Sequence, residues 1–181
     1  MYEGEGEGLS DKEWLTREVY ALFGLAIYKC QVLEAQLVNH LVVLRLRDGP
    51  QLYRHQVPDL EGALQGRTMG TNVKAVLKAL SLPESLVTGL QGALELRNWL
   101  AHHYFWERAD RFITLAGMES MRTELGDEIV PQLNAVDAEL TEATLEVSAA
   151  FGMTREVIEA ELEQVMAEIR DSGGIEWNRH E

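Results

Sequence analysis

Apolar residues recur at helical spacing along most of the chain, and convincing two-residue alternation is absent. Leu15, Val19, Leu22, Ala26, Leu33, Leu37, Leu41 and Leu44 fall three, four or seven residues apart, which puts them on one stripe of a helix predicted over about Asp11 to Arg47. Ser10-Asp-Lys-Glu13 has the spacing of a capping box at its start, Gly24 can bend it, and Asp48-Gly49-Pro50 is a firm stop. Short helices are expected from Pro58 to Leu64 and from Thr71 to Leu80, with a loop at Gly66 to Gly70. Ser81-Leu-Pro-Glu84 repeats the capping-box spacing, and a helix from about Pro83 to Trp106 follows, with Leu86, Leu90, Ala93, Leu94, Arg97, Ala101 and Tyr104 on or near one stripe. A long helix is expected from about Met118 to Phe151, kinked by Pro131 or broken near Gly126. The last, after Gly152, spans Thr154 to Arg170, and Asp171-Ser-Gly-Gly174 ends it.

The fold class expected is therefore all-α: an antiparallel bundle of about five helices around one core. No repeat of 20–50 residues is visible, which argues against a solenoid. Residues 1–9 alternate Glu and Gly and read as a disordered acidic tail. Residues 10–151 form the helical domain, and 152–181 a C-terminal acidic helix and tail, with Trp177 in an otherwise polar end.

At 181 residues, with 46% hydrophobic and 25% charged side chains, the chain has an ordinary globular composition and enough length for a core. A lone Cys30 excludes an internal disulfide framework and a cysteine-based zinc site. Lys29, Glu34, His40 and Arg45 interrupt the greasiest region, and the N-terminus is acidic where a signal peptide would be basic. A cytoplasmic protein with no membrane association is the expectation.

Net charge is −14, which taken whole argues against a nucleic-acid ligand. The distribution changes that. Residues 1–13 carry one Lys and five acids; residues 14–115 carry eleven basic and nine acidic side chains; residues 116–181 carry four and sixteen. The acidity lies at the two ends, so a polyanion remains a possible ligand of the middle section. The acidic C-terminal face reads as a solvated surface, or as a device that repels non-cognate RNA or docks a basic partner.

There is no Gly-rich phosphate loop, no His-Glu-x-x-His and no Glu-x-x-His pair, so neither a cofactor nor a metal is expected. One segment stands out: Glu95-Leu-Arg97-Asn98-Trp-Leu-Ala-His102-His103-Tyr-Phe-Trp106. On a helix Glu95, Asn98 and His102 share a face, and Arg97 lies roughly 140° round from His102 with a side chain long enough to swing back. A permanent cation, an amide and an imidazole thus come within reach of one ligand. This suits phosphodiester cleavage without metal. His accepts and returns a proton near neutral pH, Arg forks a phosphate as charge builds, and RNA supplies its own 2′-hydroxyl nucleophile, leaving a 2′,3′-cyclic phosphate.

Arg97-Asn98-x-x-x-His102 resembles the Arg-Asn-x-x-x-His signature of HEPN domains, all-α nucleotide-binding domains of which many are metal-independent endoribonucleases in toxin–antitoxin and phage-defence systems. The similarity stretches over about residues 10–151. It implies that Arg97 and His102 are the catalytic pair with Asn98 in support. It also implies a two-fold homodimer that brings both motifs into one cleft, an RNA or nucleotide ligand, and in a toxin an antitoxin partner. Some family members are inactive, and the alternative is a non-catalytic helical dimer that binds a nucleotide or a partner protein such as a nucleotidyltransferase.

Glu95, His103, Tyr104 and Arg54 are further binding candidates. Arg54 belongs with Arg45, Arg47, His55 and Arg67 to a set near helix ends that either rims a phosphate site or balances helix dipoles. Plainer roles stand beside the sharp ones. Arg97 can pair with Glu34 on the first helix, which does not exclude catalysis. His102 can be a hydrogen-bonded core histidine and His103 a structural one. Trp99, Tyr104, Phe105 and Trp106 can stack on bases, or build core or dimer interface.

Overall fold

The computed structural model describes residues 9–48, 57–79 and 82–171. Among them the chain is helical throughout and no strand occurs, so the all-α expectation holds. Seven helices of nine residues or more are present: α1 (Asp11–Asp48), α2 (Val57–Gln65), α3 (Met69–Ala79), α4 (Glu84–His102), α6 (Leu115–Thr123), α7 (Val130–Ala149) and α8 (Arg155–Asp171). A four-residue helical turn, α5 (Tyr104–Glu107), and a 3₁₀ turn at Arg111–Ile113 fill the corner after α4. The number exceeds the five or so expected: the two short helices read over Pro58 to Leu64 and Thr71 to Leu80 are both present, as α2 and α3, and the long helix beyond residue 115 is divided.

α1 is the axis of the fold. It packs against α7, α3, α6, α2 and α4, and α4 also packs on α7. Of its predicted stripe Leu15, Val19, Ala26, Leu33, Leu37, Leu41 and Leu44 are buried, Leu22 is half-buried against the core, and Cys30 joins the buried face. The capping box forms as read: Ser10 N–H donates to Glu13 Oε2 at 3.0 Å, and Glu13 N–H to Ser10 Oγ at 3.4 Å. α1 is also long and apolar enough to match a membrane span by composition, with mean hydropathy 1.3 over its best 18 residues, although charged positions interrupt it. A central core helix needs the same composition.

Two polar rungs tie α1 to α7, one at the edge of this core and one within it. Gln36 Nε2 donates to Thr141 Oγ1 at 3.0 Å, and one turn later His40 Nδ1 meets Thr144 Oγ1 at 2.9 Å. Both partners of the second rung are buried.

Three boundaries differ from the sequence reading. Pro83, not Ser81, is the N-cap of α4 and offers it no side-chain hydrogen bond; Ser81 lies outside the described residues. α4 stops at His102 instead of running to Trp106, because Tyr104 turns inward and is buried against Phe23, Trp99 and Phe105. The helix expected to be kinked by Pro131 or broken near Gly126 starts at Leu115 and is irregular at Gly126: it widens into a π-helical turn at Glu124–Ile129 and resumes as α7 with Pro131 in its first turn. Gly117 is fixed by close approach, since a Cβ there would lie 2.1 Å from the Arg111 carbonyl oxygen. α8 buries no residue; an Arg155–Glu142 ion pair at 2.7 Å ties its first turn to α7.

Candidate functional site

α4 carries Glu95, Arg97, Asn98 and His102 on one unbroken helix running antiparallel to α1 past Glu34. Arg97 Nε lies 3.3 Å from Glu34 Oε1, and Arg97 Nη1 donates to Asn98 Oδ1 at 3.4 Å. The predicted pairing with Glu34 is therefore present, but the pair is not sealed in the core: the two side chains are 37% and 32% exposed. They border an open cleft of about 350 Å³ between α1, α3 and α4, also lined by Arg67, Thr68, Met69, Gly70, Leu94 and Asn98.

The cleft sets two guanidinium groups against one carboxylate, that of Glu34. Arg67 and Arg97 reach it from different elements, and the first turn of α3 opens onto it, where unpaired backbone N–H groups and the positive end of the helix dipole lie. Thr68, just before α3, caps that turn by accepting from Thr71 N–H at 3.3 Å. Sequence reading had placed Arg67 in a general basic rim. That it joins Arg97 at one cleft depends on how α2 and α3 fold back on α1, a tertiary fact no spacing encodes.

His102 is exposed and does not line the cleft. It stands one turn beyond Asn98 on the same face, about 6 Å further along the helix axis. His103 is the C-cap of α4; its N–H donates to Trp99 O at 2.8 Å, and its ring centroid is 6.3 Å from that of His102. Glu95 is exposed one turn before Asn98. Tyr104 is 1% exposed, so its ring is packed into the core instead of being offered to a ligand, and burial pushes its hydroxyl strongly up. Arg54 and His55 lie outside the described residues. Arg45 and Arg47 sit in the last turn of α1, where they complement the helix dipole, and Arg47 Nε pairs with Asp48 at 2.7 Å.

The corner that presents His102 is well braced. Trp99 Nε1 donates to Glu107 Oε2 at 2.8 Å, and the Arg108 guanidinium lies 5.0 Å from the centroid of the Trp99 ring. Arg108 also forks Glu124 through Nε at 3.1 Å and Nη2 at 2.7 Å, joining the corner to the π-helical turn. Trp106 is 85% exposed, whereas Trp99 and Phe105 pack against the core.

A second cavity, of about 240 Å³, adjoins the cleft and shares Glu34, Arg67 and Met69 with it. It is lined further by α1 (Gln31, Val38), α2 (Gln65) and α3 (Asn72). Asn72 is 3% exposed; its Nδ2 donates to the Leu64 carbonyl at 3.3 Å, which fixes the amide and leaves Oδ1 without a partner. Glu34 Oε1 is also buried and makes no hydrogen bond, its one partner being the Arg97 guanidinium in the ion pair. The Asn72 orphan has no sequence signal, because it depends on which neighbours fail to reach it. Among the described residues, no three His, Cys, Asp or Glu side chains are grouped as a metal ion would need.

No family model matches the chain, and neither a curated protein nor a solved structure matches it.

Proposed function

We propose that the chain is a metal-independent endoribonuclease of the HEPN type, a toxin or phage-defence component in role. One observation carries the reading: Arg97 and Asn98 form one wall of an open cleft that also holds Arg67 and the first turn of α3, with His102 one turn further on the same helix. A phosphodiester bound there meets two guanidinium groups and backbone N–H donors.

In the proposed reaction His102 takes the proton of the RNA 2′-hydroxyl. The 2′-oxygen bonds to phosphorus, the P–O5′ bond breaks, and the proton returns to the departing 5′-oxygen, giving a 2′,3′-cyclic phosphate and a 5′-hydroxyl. Arg97 holds the non-bridging oxygens as charge builds. Glu34 and Asn98 engage Arg97 through Nε and Nη1, which orients the guanidinium before substrate arrives. A two-fold dimer with both motifs facing one cleft would supply a second His102 as proton donor.

The distance of His102 from the cleft lining, together with the Arg97–Glu34 pair, favours a second reading: a non-catalytic helical dimer that binds a nucleotide or a partner such as a nucleotidyltransferase. Incubating the purified protein with labelled RNA in EDTA, beside His102→Ala, separates the two. Cleavage that chelation leaves intact and His102→Ala removes supports the ribonuclease. RNA left whole by wild-type protein freed of co-purifying partners favours the binding module.

A further inference from the structure

The second pocket, open to solvent like the cleft beside it, presents an unusual demand. Asn72 Oδ1 belongs to a residue that lines it and is buried with no donor, and Glu34 Oε1, also buried on its wall, makes no hydrogen bond and meets only the Arg97 guanidinium, as an ion pair at 3.3 Å. Buried acceptors in this state call for a ligand or water that supplies N–H or O–H groups. Arg67, on the wall shared with the cleft, adds a permanent donor. Val38 and Met69 add apolar surface, against which a flat ring can lie. At about 240 Å³ the space is several times the share of one water molecule.

We infer that this cavity is a guanine subsite, in which Glu34 and Asn72 accept from the N1–H and N2 amine of the base and Arg67 donates to O6. The inference rests on the ribonuclease reading only for placing a phosphate next door. Among the four RNA bases, guanine alone offers two adjacent donor groups beside an acceptor on its pairing edge. Adenine and cytosine each offer one amine, and uracil one ring N–H between two acceptors. A base seated here directs its sugar-phosphate towards Arg67 and Arg97, because the two spaces meet at Glu34, Arg67 and Met69. The chain would then read a guanosine next to the bond it cuts.

The test is calorimetric titration of the full chain with the 5′-monophosphates of guanosine, inosine, adenosine, cytidine and uridine. Guanosine monophosphate is expected to bind at least about tenfold more tightly than the adenosine, cytidine and uridine forms. Inosine monophosphate, which lacks only the N2 amine, should lose about tenfold, since an unpaired buried acceptor is what a polar pocket discriminates by. Asn72→Leu should bring guanosine and inosine forms to within about twofold of each other. Should that variant not fold, the wild-type series decides alone. Affinities within about threefold of one another across the five nucleotides, or no binding at millimolar concentration, would overturn the inference. RNA cut with no guanosine at the cleavage sites and no nucleotide preference overturns it while leaving the ribonuclease standing. Tight guanosine binding without RNA cleavage does the reverse.

Discussion

His40 gives the fold a specific sensitivity to acid. The Thr144 hydroxyl donates to the Leu140 carbonyl at 2.7 Å, so towards His40, 2.9 Å away, it acts as acceptor. The imidazole is therefore neutral with its proton on Nδ1, and Nε2 is buried without a partner. A second proton has to sit on Nε2 in an apolar interior, with Arg47 adding repulsion; burial first, then that charge, lowers the pKa from 6.5 to about 4. The unfolded chain then binds the proton more readily, and stability falls as pH drops from about 6.5 towards 4. At 1.36 kcal/mol per unit the full loss is about 3 kcal/mol, of which about 2 kcal/mol is reached between pH 7 and pH 5. His40→Leu removes the titration, and the Thr144 proton keeps its bond to Leu140. Urea denaturation of both proteins at pH 7, 6 and 5 cancels the carboxylates common to them. Wild type should lose about 2 kcal/mol more than His40→Leu over this range. Parallel curves, agreeing within about 0.5 kcal/mol, would refute the buried neutral histidine.

Other expectations follow from the site and its supports. Arg97→Ala and His102→Ala should each reduce RNA cleavage by on the order of 10²-fold or more in a gel assay at unchanged helical content, and together by much less than the product of the single effects. Gly117→Ala drives a methyl group into the Arg111 backbone and should cost at least about 1–3 kcal/mol, read as a lowered Tm; an unchanged Tm would mean that the turn over α6 yields freely. The Cys30 thiol is 2% exposed and pushed up to about 11, chiefly by burial, so an aromatic disulfide reagent should leave it unmodified at pH 8 until denaturant is added. Rapid labelling in buffer would show that α1 opens locally.

The long helices were legible because their signals are local. The α1 stripe, its Ser10–Glu13 cap and the stop at Asp48 are all matters of spacing within one turn. Where α4 ends is not: Tyr104, Phe105 and Trp106 continue a helical pattern, and only the pocket formed by Phe23 and Trp99 explains why the chain turns at His103. The π-helical turn escaped for the same reason, as Pro131 marks trouble but not how the backbone resolves it. At the site, Arg97, Asn98 and His102 could be picked out as one helix segment. The partners that make a cleft of it, Arg67, Thr68 and Gly70, come from the end of the α2–α3 connection and the start of α3 and are joined to α4 only by the fold.

The rungs between α1 and α7 join residues 104 and 105 positions apart, so the longest helix is made long before its main partner. Synthesis at about 5–20 residues per second leaves on the order of 5–20 s between the two. During that interval the leucine stripe of α1 has only α2, α3 and α4 to cover it, and the apolar surface left open is prone to non-native association. Birth on the ribosome, rather than equilibrium stability, is then the step at which this protein is most exposed to loss, and changes that weaken α7 should lower yield in cells more than they lower the melting temperature of what survives.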